Sequence, residues 1–375
     1  MSPRFLIAAG GTGGHVQPAL AVAQELMSQS PSAHVHFVGG RRGIENQLVP
    51  AAGFPLTRLP AAGLRGLGVL GALRFALSFG LAFLASVPLI LRLRPAAVLA
   101  TGGYASAAPS VAAALMGRPL WLQEQNSVPG STNRFLSRFA ERAYVAFEQG
   151  AEYLGRAKHV EVLPNPVRAE ILKTRGERAR AEDYQSFGLQ PAGKLTLLVF
   201  GGSRGASRLN DAVVGAWLAR ASRGEWQAIV QTGRDDLLRV RTALSGLSQI
   251  TPRAYIDDMA AAYRVADLVV CRAGALTLAE LAAAGKPAIL VPYPHATDDH
   301  QSHNAAAFSR AKAARVVSDA DFDASMLCEL LDEFQENPAV LETMGEAAAM
   351  IAAGRNGAAE LAAALISRAR EGRDA

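Results

Sequence analysis

Aspartate is missing from residues 1–175, cysteine occurs twice (Cys271 and Cys328), and aromatic residues make up 6% of the chain. Each shortage closes off an option. Two cysteines among 375 residues build no disulfide framework and suit a reducing compartment. No charged-then-apolar leader with a small-residue cleavage site opens the chain, so a cytoplasmic setting is expected. The sparse aromatics are not interleaved with a basic run, and no helix-turn-helix, zinc-finger or RNA-binding signature occurs. No nucleic acid partner is expected. The missing aspartates also unbalance the charge: residues 1–175 carry 17 Lys and Arg against 8 Glu, net +9, while residues 176–375 carry 21 against 25 acids, net −4. The basic half is expected to face an anionic surface. A comfortable membrane span is lacking too, because the uncharged run between Arg74 and Arg92 is 17 residues long and contains Gly80 and Pro88, against roughly 20 residues for a spanning helix. That run has two readings. One is a buried crossover helix; the other is a peripheral helix whose apolar face touches lipid while Arg65, Arg74, Arg92 and Arg94 sit among anionic headgroups.

Half of the residues are hydrophobic, and 375 residues fit two domains with a core each. Short apolar runs alternate with helical spacing at His34–Val38, Ala97–Ala100, Pro119–Leu122 and Ala143–Ala146. The pattern restarts after Pro164-Asn165-Pro166 with Leu195–Phe200, Gln227–Val230, Arg253–Ile256, Ala266–Val270, Pro287–Val291 and Ala314–Val317. This is the rhythm of α/β domains with parallel, doubly wound, Rossmann-like sheets, and a cleft between the two domains is expected. The expected division is residues 1–165, residues 166–350, and a C-terminal helix over 351–375 that returns to brace the first domain. Lys173–Asp183 reads as an exposed connector, and the Ala-rich stretch 338–370 as one long helix.

Two glycine-rich turns follow strand-like runs and open helices: Gly10-Gly11-Thr12-Gly13-Gly14-His15 and Gly201-Gly202-Ser203-Arg204-Gly205. Strand, tight turn and helix N-terminus in that order direct backbone N–H groups at an anion, so a phosphorylated ligand is expected. A nicotinamide cofactor is disfavoured, because the second strand ends in Gly39-Gly40-Arg41-Arg42 with no acid for the ribose. His15 starts a helix whose dipole disfavours added positive charge, so a neutral imidazole there can serve as a general base. A histidine that merely hydrogen-bonds its loop has the same signature. Gln123-Glu124-Gln125-Asn126 and Thr101-Gly102-Gly103-Tyr104 stand at further strand ends, where ligand sites lie, though polar loops look alike. Gly274 to Glu280 offers free N–H groups followed by a carboxylate suited to ribose hydroxyls, or a solvated helix glutamate. Asp298-Asp299-His300-Gln301-Ser302-His303-Asn304 matches no strong zinc spacing and reads better as a polar helix start aimed at a sugar.

In order and spacing these motifs, with Asn165-Pro166-Val167-Arg168 and Ile256-Asp257-Asp258-Met259, resemble the MurG family end to end. Its members are UDP-N-acetylglucosamine transferases that complete the lipid-linked precursor of peptidoglycan. The resemblance implies the two-domain GT-B fold, with the acceptor on the N-terminal half and the nucleotide sugar mainly on the C-terminal half. Thr12, Gly13 and Gly14 would then lie beside donor sugar and acceptor pyrophosphate, and Asn126 would contact the transferred sugar. Gly102, Gly103 and Tyr104 would line the acceptor. Arg168 and Ser203 would serve the nucleotide, Ile256 the uracil, and Ala275, Leu276, Thr277, Leu278, Ala279 and Glu280 the phosphate, sugar and ribose, with Gln301 on a sugar hydroxyl. The chain departs from the family pattern at Gln123, where the family has His, and at Asp299-His300-Gln301, where the family has a more basic, glutamine-rich run.

The implied reaction is an inverting transfer from UDP-N-acetylglucosamine to the C4 hydroxyl of a polyprenyl-pyrophosphate-linked N-acetylmuramyl-peptide, needing no metal and no cofactor. His15 is the first candidate base and Glu124 the second. A peripheral position on the cytoplasmic face of the inner membrane follows, among other cell-wall synthesis proteins. Two rivals remain: a UDP-sugar epimerase or hydrolase of the same fold, and a non-catalytic sugar-nucleotide-binding subunit.

Overall fold

The structure, a computed structural model, describes residues 2–61, 69–191, 193–202, 204–220 and 226–374. Ser203, Arg65 and the start of the basic patch lie outside the described residues. Two compact units divide the chain: Met1–Arg168 together with Arg355–Ala375, and Ala169–Gly354.

The first unit holds strands β1 (Arg4–Ala9), β2 (His34–Gly40), β3 (Leu56–Leu59), β4 (Ala97–Gly102), β5 (Leu120–Glu124), β6 (Arg142–Val145) and β7 (His159–Val162). They form one parallel sheet in the order β3-β2-β1-β4-β5-β6-β7. Its central strands are mostly apolar and almost entirely buried because helices cover both faces. On one face Ala19, Leu20, Val22, Ala23 and Leu26 of α1 (Gly13–Gln29) pack with Leu361, Ala362, Leu365, Ile366 and Ala369 of the C-terminal helix Gly357–Asp374. That helix needs glycine at its start, since a β-carbon on Gly357 would stand 1.9 Å from the Pro164 carbonyl oxygen.

Three further helices of this unit matter below: α2 (Glu45–Ala51), α3 (Val69–Leu93) and α4 (Tyr104–Leu115). α3 corrects the reading of a buried crossover helix. One stripe, Ala82, Ser86 and Ile90, is buried. The opposite stripe, Leu73, Leu77, Leu81, Leu84 and Leu91, is 54–66% exposed. At about 100° per residue these five leucines fall within about 80° of arc. The segment Leu73–Leu93 is long and apolar enough to cross a membrane, yet its inner stripe is bound into the core beneath the sheet.

The second unit repeats the plan with β8 (Leu195–Phe200), β9 (Trp226–Gln231), β10 (Ile250–Arg253), β11 (Leu268–Cys271), β12 (Ala288–Leu290) and β13 (Ala314–Val316). Their order is β10-β9-β8-β11-β12-β13, again all parallel. Two local expectations fail, one holds only in part, and two strands stand where none was expected. The strand expected at Arg253–Ile256 is Ile250–Arg253, because Ile256 donates its N–H to Gln231 Oε1 (2.8 Å) and has left the ladder. Edge strands β3 and β7 are too short and too polar to read as strands. The single C-terminal helix is two, Pro338–Ala352 and Gly357–Asp374, parted by Ala353 and Gly354 at φ +48° and +71°. Lys173–Asp183 does not end exposed: Asp183 is buried, accepts from the Arg180 N–H (2.8 Å) and holds Arg264 by two bonds of 3.0 and 2.7 Å.

Candidate active site

β1 and β4 are neighbours whose connections run to opposite sides of the sheet, so their carboxyl ends form the switch point at which α/β sheets bind ligands. Gly10–His15 leaves β1 there, and Thr101–Tyr104 leaves β4. The two turns touch. Thr101 Oγ1 donates to the His15 carbonyl (2.9 Å), and Thr12 Oγ1 lies 3.2 Å from His15 Nδ1. The Thr12 carbonyl accepts from the His15 and Val16 amides at 3.1 and 3.2 Å. The imidazole lies on glycine backbone: a β-carbon at Gly102 would stand 2.9 Å from its Cδ2 and 3.1 Å from its Nε2. One at Gly103 would stand 2.1 Å from the Gly10 carbonyl oxygen. Both residues hold positive φ, +102° and +80°, so conformation and close approach each require glycine. Gly13 and Gly14 open α1, and Tyr104 opens α4 with its ring partly exposed.

β5 brings a second group to the same rim. Glu124 is 2% exposed, and its two oxygens accept from Asn126 N (2.9 Å), Asn126 Nδ2 (3.3 Å), Gly130 N (3.2 Å) and Asn133 Nδ2 (2.9 Å). Burial pushes its carboxyl pKa up, and these donors act against that rise. With its lone pairs engaged, the carboxylate shapes the loop that presents Asn126 rather than facing solvent. Behind it Gln123 Nε2 donates to Asn165 Oδ1 (2.8 Å), Asn165 Nδ2 to the Gln125 carbonyl (2.9 Å), and Gln125 Nε2 to the Thr101 carbonyl (2.8 Å). This buried amide chain ties β5 to β4. Arg168 is half-buried and ends the first of the two segments that make up the first unit.

In the second unit β8 and β11 form the corresponding switch point. Helix Ala275–Ala284 follows β11, and its N-cap is Gly274, which has no side chain to cap it. Ala275 and Leu278 are buried, while Leu276, Thr277 and Ala279 are half-buried. Glu280 is no solvated helix residue: it is buried and accepts from the Tyr263 hydroxyl at 3.1 Å. Gln301 Oε1 accepts from the Tyr293 N–H (3.0 Å), and Arg272 donates to the Val291 and Pro292 carbonyls (3.1 and 3.3 Å), drawing the loops after β11 and β12 together. Asp298 and Asp299 hold φ of +52° and +49° just ahead of the helix carrying Gln301. Among the described residues, no group of three or more His, Cys, Asp or Glu is placed to hold a metal ion.

Sequence reasoning passed over two residues. Gln231, at the end of β9, donates to the Gly202 carbonyl (2.9 Å) while accepting from Ile256, and so couples the second glycine turn to the expected uracil contact. The rule that singled out Gln123 and Glu124, polar residues at strand ends, applies equally to it. Glu45 accepts from Gly11 N (3.0 Å) and Gly40 N (2.9 Å), and no local pattern marked it.

Residues 5–145 match the glycosyltransferase family 28 N-terminal domain, and residues 196–364 match the family's C-terminal domain. A relative from Pelobacter propionicus is 40% identical over 360 residues, 92% of this chain and 94% of that protein. One from Chromohalobacter salexigens is 46% identical over 347 residues, 92% of each. Both are named UDP-N-acetylglucosamine--N-acetylmuramyl-(pentapeptide) pyrophosphoryl-undecaprenol N-acetylglucosamine transferase. The crystal structure of Acinetobacter baumannii MurG matches with a TM-score of 0.75 at 29% identity, covering 98% of this chain and 100% of that one. Matched in both halves and over nearly its whole length, the chain belongs to glycosyltransferase family 28 and, within it, to the MurG family of N-acetylglucosamine transferases.

Proposed function

We propose that this chain transfers N-acetylglucosamine from UDP-N-acetylglucosamine to the C4 hydroxyl of a lipid-linked N-acetylmuramyl-pentapeptide, with inversion at C1. The observation that carries the reading is an imidazole held at the β1/β4 switch point by its own glycine turn and by the turn after β4. His15 is the base. In the tautomer this requires, Nδ1–H donates to Thr12 Oγ1 and Nε2 is the basic nitrogen. As the C4 oxygen attacks, its proton passes to His15. The bond from C1 to the diphosphate breaks, and the electron pair leaves on the UDP oxygen. The helix start at Ala275–Thr277 and the Arg168 guanidinium stabilise that developing charge. Glu124 positions Asn126 against the sugar, because its oxygens are already committed to four donors.

The test is His15→Ala, with turnover read as acceptor-dependent transfer of radiolabelled sugar. A loss of at least ~100-fold with UDP binding intact is expected, the lower end of general-base effects. Near-normal turnover removes His15 from the role. Turnover of the UDP-sugar without labelled lipid would favour the epimerase or hydrolase, and none at all in the purified wild type would favour the non-catalytic subunit.

The leucine stripe of α3 supports a peripheral position on the anionic cytoplasmic face of the membrane. Five leucines more than half exposed, with Arg74, Arg92 and Arg94 exposed nearby, offer apolar insertion and headgroup attraction together. At roughly 1 kcal/mol for each partly exposed leucine and a similar amount per arginine, the patch supplies reversible binding.

A further inference from the structure

The first glycine turn spends one of its amides internally. Glu45, the first residue of α2, is 0% exposed, and its two oxygens take the N–H groups of Gly11 and Gly40 at 3.0 and 2.9 Å. Its side chain is enclosed by glycines. A β-carbon on Gly10 would stand 2.8 Å from Oε1, one on Gly39 2.7 Å from Cγ, and one on Gly43 2.2 Å from Oε2. Neighbouring Asn46 donates to the Gly40 and Gly43 carbonyls (3.0 and 3.2 Å), closing the loop after β2 around the carboxylate. Gly39 and Gly40 therefore do more than deny a dinucleotide its ribose acid: they admit a buried carboxylate from the following helix.

A helix-opening glycine turn ordinarily offers its amides to a phosphate. Here a protein carboxylate takes Gly11, so this turn's donors to a ligand begin at Thr12. Gly11 is also joined through one peptide bond to Thr12, whose hydroxyl meets His15 Nδ1 and whose carbonyl accepts from the His15 amide. We infer that Glu45 is a positioning residue of the transfer reaction: by fixing Gly11 against the loop after β2, it sets the orientation of Thr12 and His15 toward the acceptor hydroxyl. The inference rests on His15 as the base. Glu45 touches neither substrate.

The experiment is a four-protein cycle of wild type, Glu45→Gln, His15→Ala and the double variant, with kcat, donor KM and thermal unfolding measured for each. The glutamine keeps one acceptor and turns an amide group toward the other N–H. Glu45→Gln is expected to lower kcat roughly 10- to 100-fold at a temperature where it is folded, the size of effect produced by a misplaced catalytic group. Donor KM changes by less than kcat does, because the turn from Thr12 to Gly14 supplies only part of the expected donor contacts and the rest lie on other elements. In the His15→Ala background Glu45→Gln adds no further loss. Faster amide exchange at Gly11 accompanies the slow kcat. If Glu45→Gln does not fold, Glu45→Asp, one methylene shorter, takes its place in the cycle.

Wild-type kcat in folded Glu45→Gln overturns the inference. So does an equal further loss in the His15→Ala background, which would mark a general effect on the fold. Near-normal turnover in His15→Ala alone rejects the base assignment instead. In that case a slow Glu45→Gln with faster Gly11 exchange still identifies Glu45 as the residue that holds the turn, and a normal one overturns that too.

Discussion

Substituting alanine for Gly102 adds one methyl group beside the proposed base. The new β-carbon would lie 2.9 Å from His15 Cδ2 and 3.1 Å from Nε2, whereas carbon atoms in contact rest about 3.5–4.0 Å apart. The imidazole must therefore retreat by roughly 0.5–1 Å. Displacement of that order costs a reaction up to ~100-fold, or about 2.7 kcal/mol of barrier. The φ of +102° adds backbone strain of about 1–3 kcal/mol, paid in stability and not in chemistry. Gly117→Ala separates the two terms, since Gly117 has φ +70° with nothing within 4 Å of its β-carbon position. Both variants should lose stability, Gly102→Ala by more because of its contact with His15, and only Gly102→Ala should lose turnover. The assay is acceptor-dependent sugar transfer at a temperature where both are folded, with UDP affinity followed by calorimetry. The residues proposed to hold UDP, Arg168 and the helix start after β11, lie outside the turn that carries Gly102, so UDP affinity should not change. A kcat for Gly102→Ala within about 3-fold of the Gly117→Ala value would refute the placement of His15 at the reacting centre.

Three other outcomes follow from the structure. Arg264 holds the buried Asp183 carboxyl down at about 2, below its ordinary 3.8, so ionised Asp183 contributes about 2 kcal/mol above pH 4 that fades as pH falls toward 2. Asp183→Asn should therefore cost most at neutral pH and progressively less in acid; a urea-unfolding difference equal at pH 7 and pH 2.5 would contradict this. Leu77→Glu with Leu84→Glu alters exposed residues only; thermal unfolding should be unchanged while co-sedimentation with anionic vesicles disappears, and retained salt-sensitive binding would count against the membrane role of α3. Ala353 sits at φ +48°, so Ala353→Gly should stabilise the chain by about 0.5–1 kcal/mol after allowance for the freer unfolded state. Lowered stability on denaturant titration would show that the break between the last two helices is held by something other than this residue.

Legibility in the sequence followed the range of the interactions concerned. The turns at Gly10–Gly14 and Gly201–Gly202 were visible because strand, glycine and helix start lie within a dozen residues, and a positive φ imposes its glycine locally. Exposed edges were harder. β3 and β7 are four residues each at the rims of the sheet, where half-buried polar sequence and loop sequence look alike. Ala353 gave no sign of ending a helix, because alanine is the best helix former and yet here holds the left-handed conformation.

By itself the sequence determined two α/β halves, their glycine turns, and the polar residues standing at strand ends, since periodicity and turn chemistry are properties of short windows. Tertiary structure alone decided which groups those residues meet. Glu45 reaches Gly11 across 34 positions of chain, Thr101 reaches His15 across 86, and the leucines of α3 face outward because the opposite stripe is the one taken into the core. Such pairings depend on how separate elements pack, and no local pattern carries that information.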